Sequence, residues 1–221
     1  MRRPIPVLVL LILPSLSALA LGETLYVRPW CEIEPFVRVG SDEYPLSEEA
    51  AARRVLEEGR TLFSAMVYGY TFIYTPSDAS RRVDESFQLT PVADIPWGVG
   101  EVRVIETTTE EDKFSARLAL SLPDAEVRRR ESWGSAGVDA AMGTGEASLF
   151  GGHSAKIEAL ANAIKNAVRN HLSTRVLNKP REIRGEVVLW EDPRTVIRAG
   201  GYVTTAKVRL RITEIVPYRI F

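Results

Sequence analysis

The segment Phe114-Ser-Ala-Arg-Leu-Ala-Leu-Ser-Leu122 alternates apolar with polar or small side chains, and Thr204-Thr-Ala-Lys-Val-Arg-Leu-Arg-Ile212 repeats this alternation. Because successive side chains of a β-strand point to opposite faces, each segment is predicted to be a strand with one apolar face. A second strand-like run precedes each segment, at 101–109 and 183–190, with turn residues in between. The sequence therefore predicts two antiparallel hairpins.

Helical periodicity comes before each hairpin. Ser47 is a favoured helix-capping residue, and apolar side chains three and four apart follow it, which predicts a helix over 48–64. A one-sided apolar stripe predicts a second helix from 154 to about 174. Further strands are predicted within 65–75 and 83–91. We therefore expect an α+β fold in which an antiparallel sheet packs against two amphipathic helices.

The order of helix and hairpin occurs twice, which suggests a duplicated unit; the alternative is that amphipathic hairpins resemble each other by chance. The predicted organisation is a signal peptide (1–22), an extended N-terminal segment (23–46), a first helix-plus-hairpins unit (47–132), a Gly-rich linker or loop (133–153) and a second unit (154–221). A second unit of this length is marginal alone, so we expect it to dock on the first.

The first 22 residues have the order of a secretory signal. Arg2 and Arg3 precede an apolar run, and the small residues Ala20 and Gly22 are candidate cleavage sites. A permanent membrane anchor is the alternative, but Pro14 interrupts the run that a spanning helix needs. We expect a mature chain that is soluble in the periplasm or otherwise outside the cytoplasm. It would have no lipid anchor, since no cysteine follows the small residues, and no remaining transmembrane segment.

Composition narrows the function classes. The net charge is −1, and −3 once residues 1–22 with their two arginines are removed, which gives no field to attract nucleic acid. One cysteine, Cys31, excludes an internal disulfide, and its apolar neighbours predict burial. The two histidines, His153 and His171, are too far apart in sequence for a metal-ligand motif, and His153 is expected to be exposed. We expect a protein that is not an enzyme and needs no cofactor or metal, although a catalytic site assembled from distant residues stays open.

Two strand faces are candidate binding surfaces. The first, the aromatic face, consists of Tyr68, Tyr70, Phe72 and Tyr74, whose rings combine apolar area with polar tips. The alternative is that this face packs on a helix. The second, the basic face, consists of Lys207, Arg209 and Arg211 on the outward side of the last strand. Its alternative is a solvated surface or a guarded sheet edge.

The hairpin of the kind Val102-Arg-Val-Ile…Phe114-Ser-Ala-Arg-Leu, placed after a helix and strands, resembles the N-terminal module of the flagellar assembly protein T family. It is also similar to related small envelope lipoprotein domains, although the lipoprotein cysteine is missing. The resemblance covers 47–122 and, more weakly, 154–213. It implies an accessory envelope or flagellar structural role without catalysis.

These observations predict a non-enzymatic exported protein that acts by binding or assembly with an envelope component, through an envelope protein or through self-association. The alternatives are an extracytoplasmic hydrolase with a fold-assembled site and a small-ligand or glycan-binding module that uses the aromatic face.

Overall fold

The computed structural model describes residues 23–40, 43–96, 101–175 and 179–218, so the predicted signal peptide lies outside the described residues. The helices and strands are β1 (Thr24–Val27), β2 (Trp30–Glu32), α1 (Glu48–Val67), β3 (Tyr70–Thr75), β4 (Ser86–Pro91), β5 (Glu101–Glu110), β6 (Lys113–Ser121), α2 (Asp124–Trp133), β7 (Asp139–Ser148), α3 (Ser154–Arg175), β8 (Glu182–Leu189), β9 (Arg194–Arg198) and β10 (Gly201–Val216). Two single-turn 3₁₀ helices lie at Ala79–Arg81 and Leu149–Gly151. The predicted α+β fold is confirmed.

The strands form two antiparallel sheets, centred on β6 and β10. In the first sheet, β5 pairs with the whole of β6, so β1 and β2 share the other edge of that strand. In the second sheet, the order is β4-β3-β8-β10-β7, and the short β9 pairs with the start of β10. The two strands that carry the repeated alternation are therefore the central strands of the two sheets.

Helix α1 joins the two sheets into one core. It packs against both β6 and β8, and a single buried cluster contains Val55 of α1, Leu118 of β6 and Leu210 of β10. The side chain of Ser47 caps the helix by accepting a hydrogen bond from Ala50 N, as predicted. The apolar positions of the repeated alternation are buried as well: Ala116, Leu118, Leu120 and Leu122, and Ala206, Val208 and Leu210.

The prediction of a linker or loop over 133–153 is wrong, because Asp139–Ser148 form strand β7. A Cβ atom on Gly143 would lie 2.3 Å from Ala163 O, and one on Gly145 would lie 2.1 Å from Ala163 N. The glycines therefore let the backbone of α3 rest directly on the strand. The side chains of Asn162 and Asn166 donate hydrogen bonds to the carbonyl groups of Glu146 and Thr144 at the outer edge of β7.

The predicted domain boundaries do not follow the sheets. Strand β3 belongs to the predicted first unit but pairs with β8 of the second, so the two units share one sheet. The segment 23–46 contributes β1 and β2 to the first sheet. Helix α2 was not predicted, since its buried residues are only Arg130 and Trp133 and its sequence shows no apolar stripe. Duplication of a helix-plus-hairpin unit stays a prediction.

No helix within the described ranges is both long and apolar enough to cross a bilayer.

Candidate functional site

On the aromatic face, Phe72 and Tyr74 are core and Tyr68 and Tyr70 are half-buried against it, so the prediction of an exposed contact surface is wrong. Phe72 and Tyr74 are 1% and 7% exposed, and Tyr68 follows α1 without belonging to β3. The prediction assumed that buried tyrosine hydroxyl groups would lack partners. Two of the three have them: Tyr74 donates to Glu85 at 3.0 Å, and Tyr68 donates to Glu126 at 3.3 Å. Each ring can therefore be covered while its hydroxyl group stays paired.

The basic face points outward from β10, but the protein itself engages its cations. Lys207 Nζ lies 2.6 Å from a carboxylate oxygen of Glu191. The guanidinium groups of Arg209 and Arg211 lie 4.9 and 4.5 Å from the ring centres of Trp190 and Trp133, within the range of cation–π attraction. These contacts favour the alternative interpretation, a solvated surface that is stabilised from within.

The described residues contain a buried ion pair that no pattern in the sequence predicts. Lys156 of α3 and Glu58 of α1 lie 2.7 Å apart, with 2% and 7% of their side chains exposed. Lys156 Nζ also donates to the carbonyl oxygen of Trp30 in β2 and lies 4.1 Å from the centre of that indole ring. The pair therefore connects both long helices to the first sheet.

Burial disfavours both charges of this pair, and their mutual attraction opposes that effect. Desolvation raises the pKa of Glu58, while the adjacent ammonium group lowers it. Desolvation lowers the pKa of Lys156, while the carboxylate raises it. Buried charges persist only where they are paired and hydrogen-bonded. Each residue of the pair therefore depends on the other.

His153 lies beside this pair, with Nε2 3.5 Å from Glu58 Oε2, and its side chain is 22% exposed, so the expected exposure is wrong. Burial, together with the charges of Lys156 and Arg54, lowers the pKa of His153 to about 4. The imidazole is thus neutral near pH 7. His171 lies elsewhere, with Nε2 3.2 Å from Asp139 Oδ2.

A cleft opens next to His153, between the loop 33–40 and the loop 149–153, which contains the 3₁₀ helix Leu149–Gly151. Its polar lining includes Glu32, Arg54, His153 and Tyr202. The Tyr202 hydroxyl group donates to Glu32 at 2.8 Å, and burial with this hydrogen bond raises the pKa of Tyr202. The side chain of Arg54 donates to the hydroxyl group of Tyr44 at 3.2 Å. The polar side chains of the cleft are thus held in place by one another.

The two loops beside the cleft carry exposed apolar side chains, which we call the loop surface: Phe36, Val39 and Phe150. Phe36 is 96% exposed and Phe150 is 77% exposed. The two loops touch, since a Cβ atom on Gly152 would lie 3.3 Å from Val39 Cβ. Gly152 has φ +64°, which favours glycine. Sequence analysis missed this surface because the two phenylalanines lie in separate segments without periodicity.

Cys31, the single cysteine of the chain, lies in the core. Burial raises the pKa of the Cys31 thiol to about 11, and this side chain is 1% exposed, so the expected burial is confirmed and a reactive thiolate is disfavoured. Within the ranges that the structure describes, no group of three or more histidine, cysteine, aspartate or glutamate residues is placed to hold a metal ion.

A protein-family model matches residues 17–218. The chain belongs to that family, which is of uncharacterised type. A protein of Treponema pallidum (strain Nichols), described as uncharacterised, is 25% identical over 202 residues, which cover 90% of this chain and 83% of that protein. No solved structure matches the chain. The family match spans all the elements from β1 to β10, including both loops of the cleft. The resemblance to the flagellar assembly protein T family stays a prediction.

Proposed function

We propose that the protein is a non-enzymatic exported protein that acts outside the cytoplasm by binding another envelope protein through the loop surface. The observation that carries the proposal is the exposure of Phe36 and Phe150 on two touching loops. Covering one phenylalanine side chain contributes about 1.5–3 kcal/mol. Apolar side chains concentrated at one surface are typical of a site that a partner covers.

The buried pair of Lys156 and Glu58 supports the proposal by fixing the scaffold beneath the loops. Lys156 is the third residue of α3, which follows the loop 149–153 directly. Its contact with Trp30 O holds β2, from which the loop 33–40 departs. Loops mounted on a fixed scaffold lose less conformational entropy on binding, so more of the contact energy appears as affinity.

Site-specific photo-crosslinking in intact cells tests this proposal. A photoreactive side chain at position 36 and one at position 150 should each crosslink to the same partner protein. Met142 is the matched control, since it is an apolar side chain, 60% exposed, on β7. The double variant Phe36→Ser/Phe150→Ser should melt at the same temperature as the wild type and lose the partner. No adduct at either loop, or the same adducts at position 142, would contradict the proposal.

Export is part of the proposal and has its own test. The n-region, apolar run and small residues of 1–22 support processing by signal peptidase. N-terminal sequencing of the protein from an extracytoplasmic fraction should begin at Leu21 or Glu23. Recovery of the protein with Met1 in place would contradict it. By the resemblance of 47–122, flagellar components are among the partners to look for.

A second candidate function, small-ligand binding, rests on another cleft. A cleft of about 500 Å³ is lined by Tyr74, Arg169, Lys179, Leu172 and Ile183, among others. Lys179 and Arg169, which is ion-paired with Glu85 of the same cleft at 3.2 Å, suit a small acid whose carboxylate group would take the place of Glu85. A thermal-shift screen of such acids tests it, with Arg169→Ala expected to abolish any shift. The absence of a shift with the wild type would remove this candidate.

A further inference from the structure

Strand β5 is an exposed sheet edge. Among the described residues it pairs with β6 alone, and its side chains from Val102 to Glu110 are exposed except for the half-buried Thr108. Val104 and Ile105 are each 52% exposed. A long edge strand rich in β-branched residues presents unpaired backbone groups to other strands. This edge is therefore suited to accept another strand.

A β-bulge in the middle of β5 determines which side chains share a face. Val104 lies opposite Leu118 and Glu106 lies opposite Arg117, so Ile105 is the extra residue. Arg103 lies opposite Ala119, two residues from Arg117 on β6. Opposite residues share a face, and residues two apart on a regular strand do as well. Arg103 and Glu106 are therefore on the same face of the sheet.

We infer that β5 pairs antiparallel with β5 of a second copy of this chain, with the twofold axis between Val104 and Ile105. A twofold axis perpendicular to the sheet makes such a contact self-complementary. In a regular strand, a twofold axis between two neighbouring residues would pair each residue with one of the other copy whose side chain points to the other face of the sheet. The bulge removes this conflict, because residues at equal distances on its two sides share a face.

This register is charge-complementary. Arg103 of each copy faces Glu106 of the other, and Val104 of each copy faces Ile105 of the other. Opposite charges across antiparallel strands stabilise the pairing, and like charges destabilise it. Moving the axis by one residue in either direction removes both Arg–Glu pairs. The sequence thus favours one register, and the occupant that fits this edge is the same edge of a second copy. This inference concerns a different surface from the loop surface.

Charge reversal with rescue tests the pairing by sedimentation velocity of the purified protein. The wild type should be a dimer at concentrations of roughly 100 µM or below. Arg103→Glu and Glu106→Arg should each raise the dimer dissociation constant about tenfold or more, since each sets like charges opposite each other twice. The double reversal Arg103→Glu/Glu106→Arg should restore dimerisation.

Controls separate dimer loss from unfolding. Arg198→Glu makes the same charge change at an exposed position on β9 and should leave the dimer intact. Arg103→Glu should keep the wild-type melting temperature of the monomer, because Arg103 is exposed, whereas Glu106→Arg also places an arginine opposite Arg117 of its own chain and should lower that temperature slightly. A monomeric wild type would overturn the inference and leave the bulge and charges as guards of a free edge. A double reversal as weak as the single reversals would also overturn it. The variant Phe36→Ser/Phe150→Ser should dimerise normally, which separates this result from the proposed function.

Discussion

Replacing Lys156 with methionine should destabilise the protein more than any exposed substitution. The change keeps the apolar stem and removes the ammonium group that lies 2.7 Å from Glu58. Glu58 would then be a buried charge without its cation, and breaking a buried pair from one side costs about 3–5 kcal/mol. The same change removes the hydrogen bond from the ammonium group to Trp30 O, and a hydrogen bond that involves a charged group contributes about 1.5–3 kcal/mol.

The effect should depend on pH in a defined direction. Burial already raises the pKa of Glu58, and loss of Lys156 raises it further. A carboxyl group whose folded-state pKa lies above its unfolded value favours folding at pH values below the unfolded pKa. It loses that contribution as the pH rises through the folded-state pKa. Lys156→Met should therefore be least destabilised at about pH 4 and most destabilised at about pH 8.

Urea unfolding at these two pH values measures the effect, and a second variant isolates its cause. Lys156→Met/Glu58→Gln carries no buried charge at this position, so it should recover most of the stability that the single variant loses. A single variant that loses under about 1 kcal/mol at pH 8 would refute the argument that the charges depend on each other. So would a double variant that is no more stable than the single one.

Three further substitutions test packing and charge. Gly145→Ala should lower the free energy of unfolding by about 1–3 kcal/mol, because its Cβ atom would lie 2.1 Å from Ala163 N. Gly137→Ala is the control and should change that free energy by under about 0.5 kcal/mol, since no atom lies within 4 Å of the added Cβ; equal effects in urea unfolding would contradict the close contact. Burial raises the pKa of Asp192 to about 6, so its ionised form opposes folding as the pH rises through 6. Asp192→Asn should therefore stabilise by about 1–2 kcal/mol above that pH and have no benefit near pH 4, as melting curves at both pH values would show. Ile164→Ala should lower the free energy of unfolding, measured by chemical denaturation, by about 2–5 kcal/mol, since the side chain is fully buried. A loss as small as that of a surface substitution would contradict the burial of this side chain.

The elements found from sequence are those whose cause is local. Helices α1 and α3 and the central strands β6 and β10 each carry their own apolar period, so a short window of sequence is enough to predict them. Strand β7 has no such period. Its glycines are required by the close contact with Ala163, which lies on a helix later in the chain, so a short window of sequence does not predict this strand.

The missed features depend on distant partners. Helix α2 buries Arg130, which is acceptable because Glu23 and the carbonyl oxygen atoms of Met66 and Trp190 accept its hydrogen bonds. The aromatic face was assigned to the surface because Glu85 and Glu126, which pair with its hydroxyl groups, could not be placed from sequence. The loop surface combines Phe36 with Phe150, and only the fold brings their two loops into contact.

The side chains of Asn162 and Asn166 have a consequence for how many copies can join. By donating to Glu146 O and Thr144 O, they occupy backbone acceptors that an incoming strand would need at β7. The outer edge of that strand is thus terminated by the protein's own helix. Pairing through β5 uses the same edge of both copies and consumes it. One of these edges is thus blocked by the protein's own helix, and the other is occupied by the second copy. Assembly through these two edges therefore stops at a dimer and does not extend into a fibre.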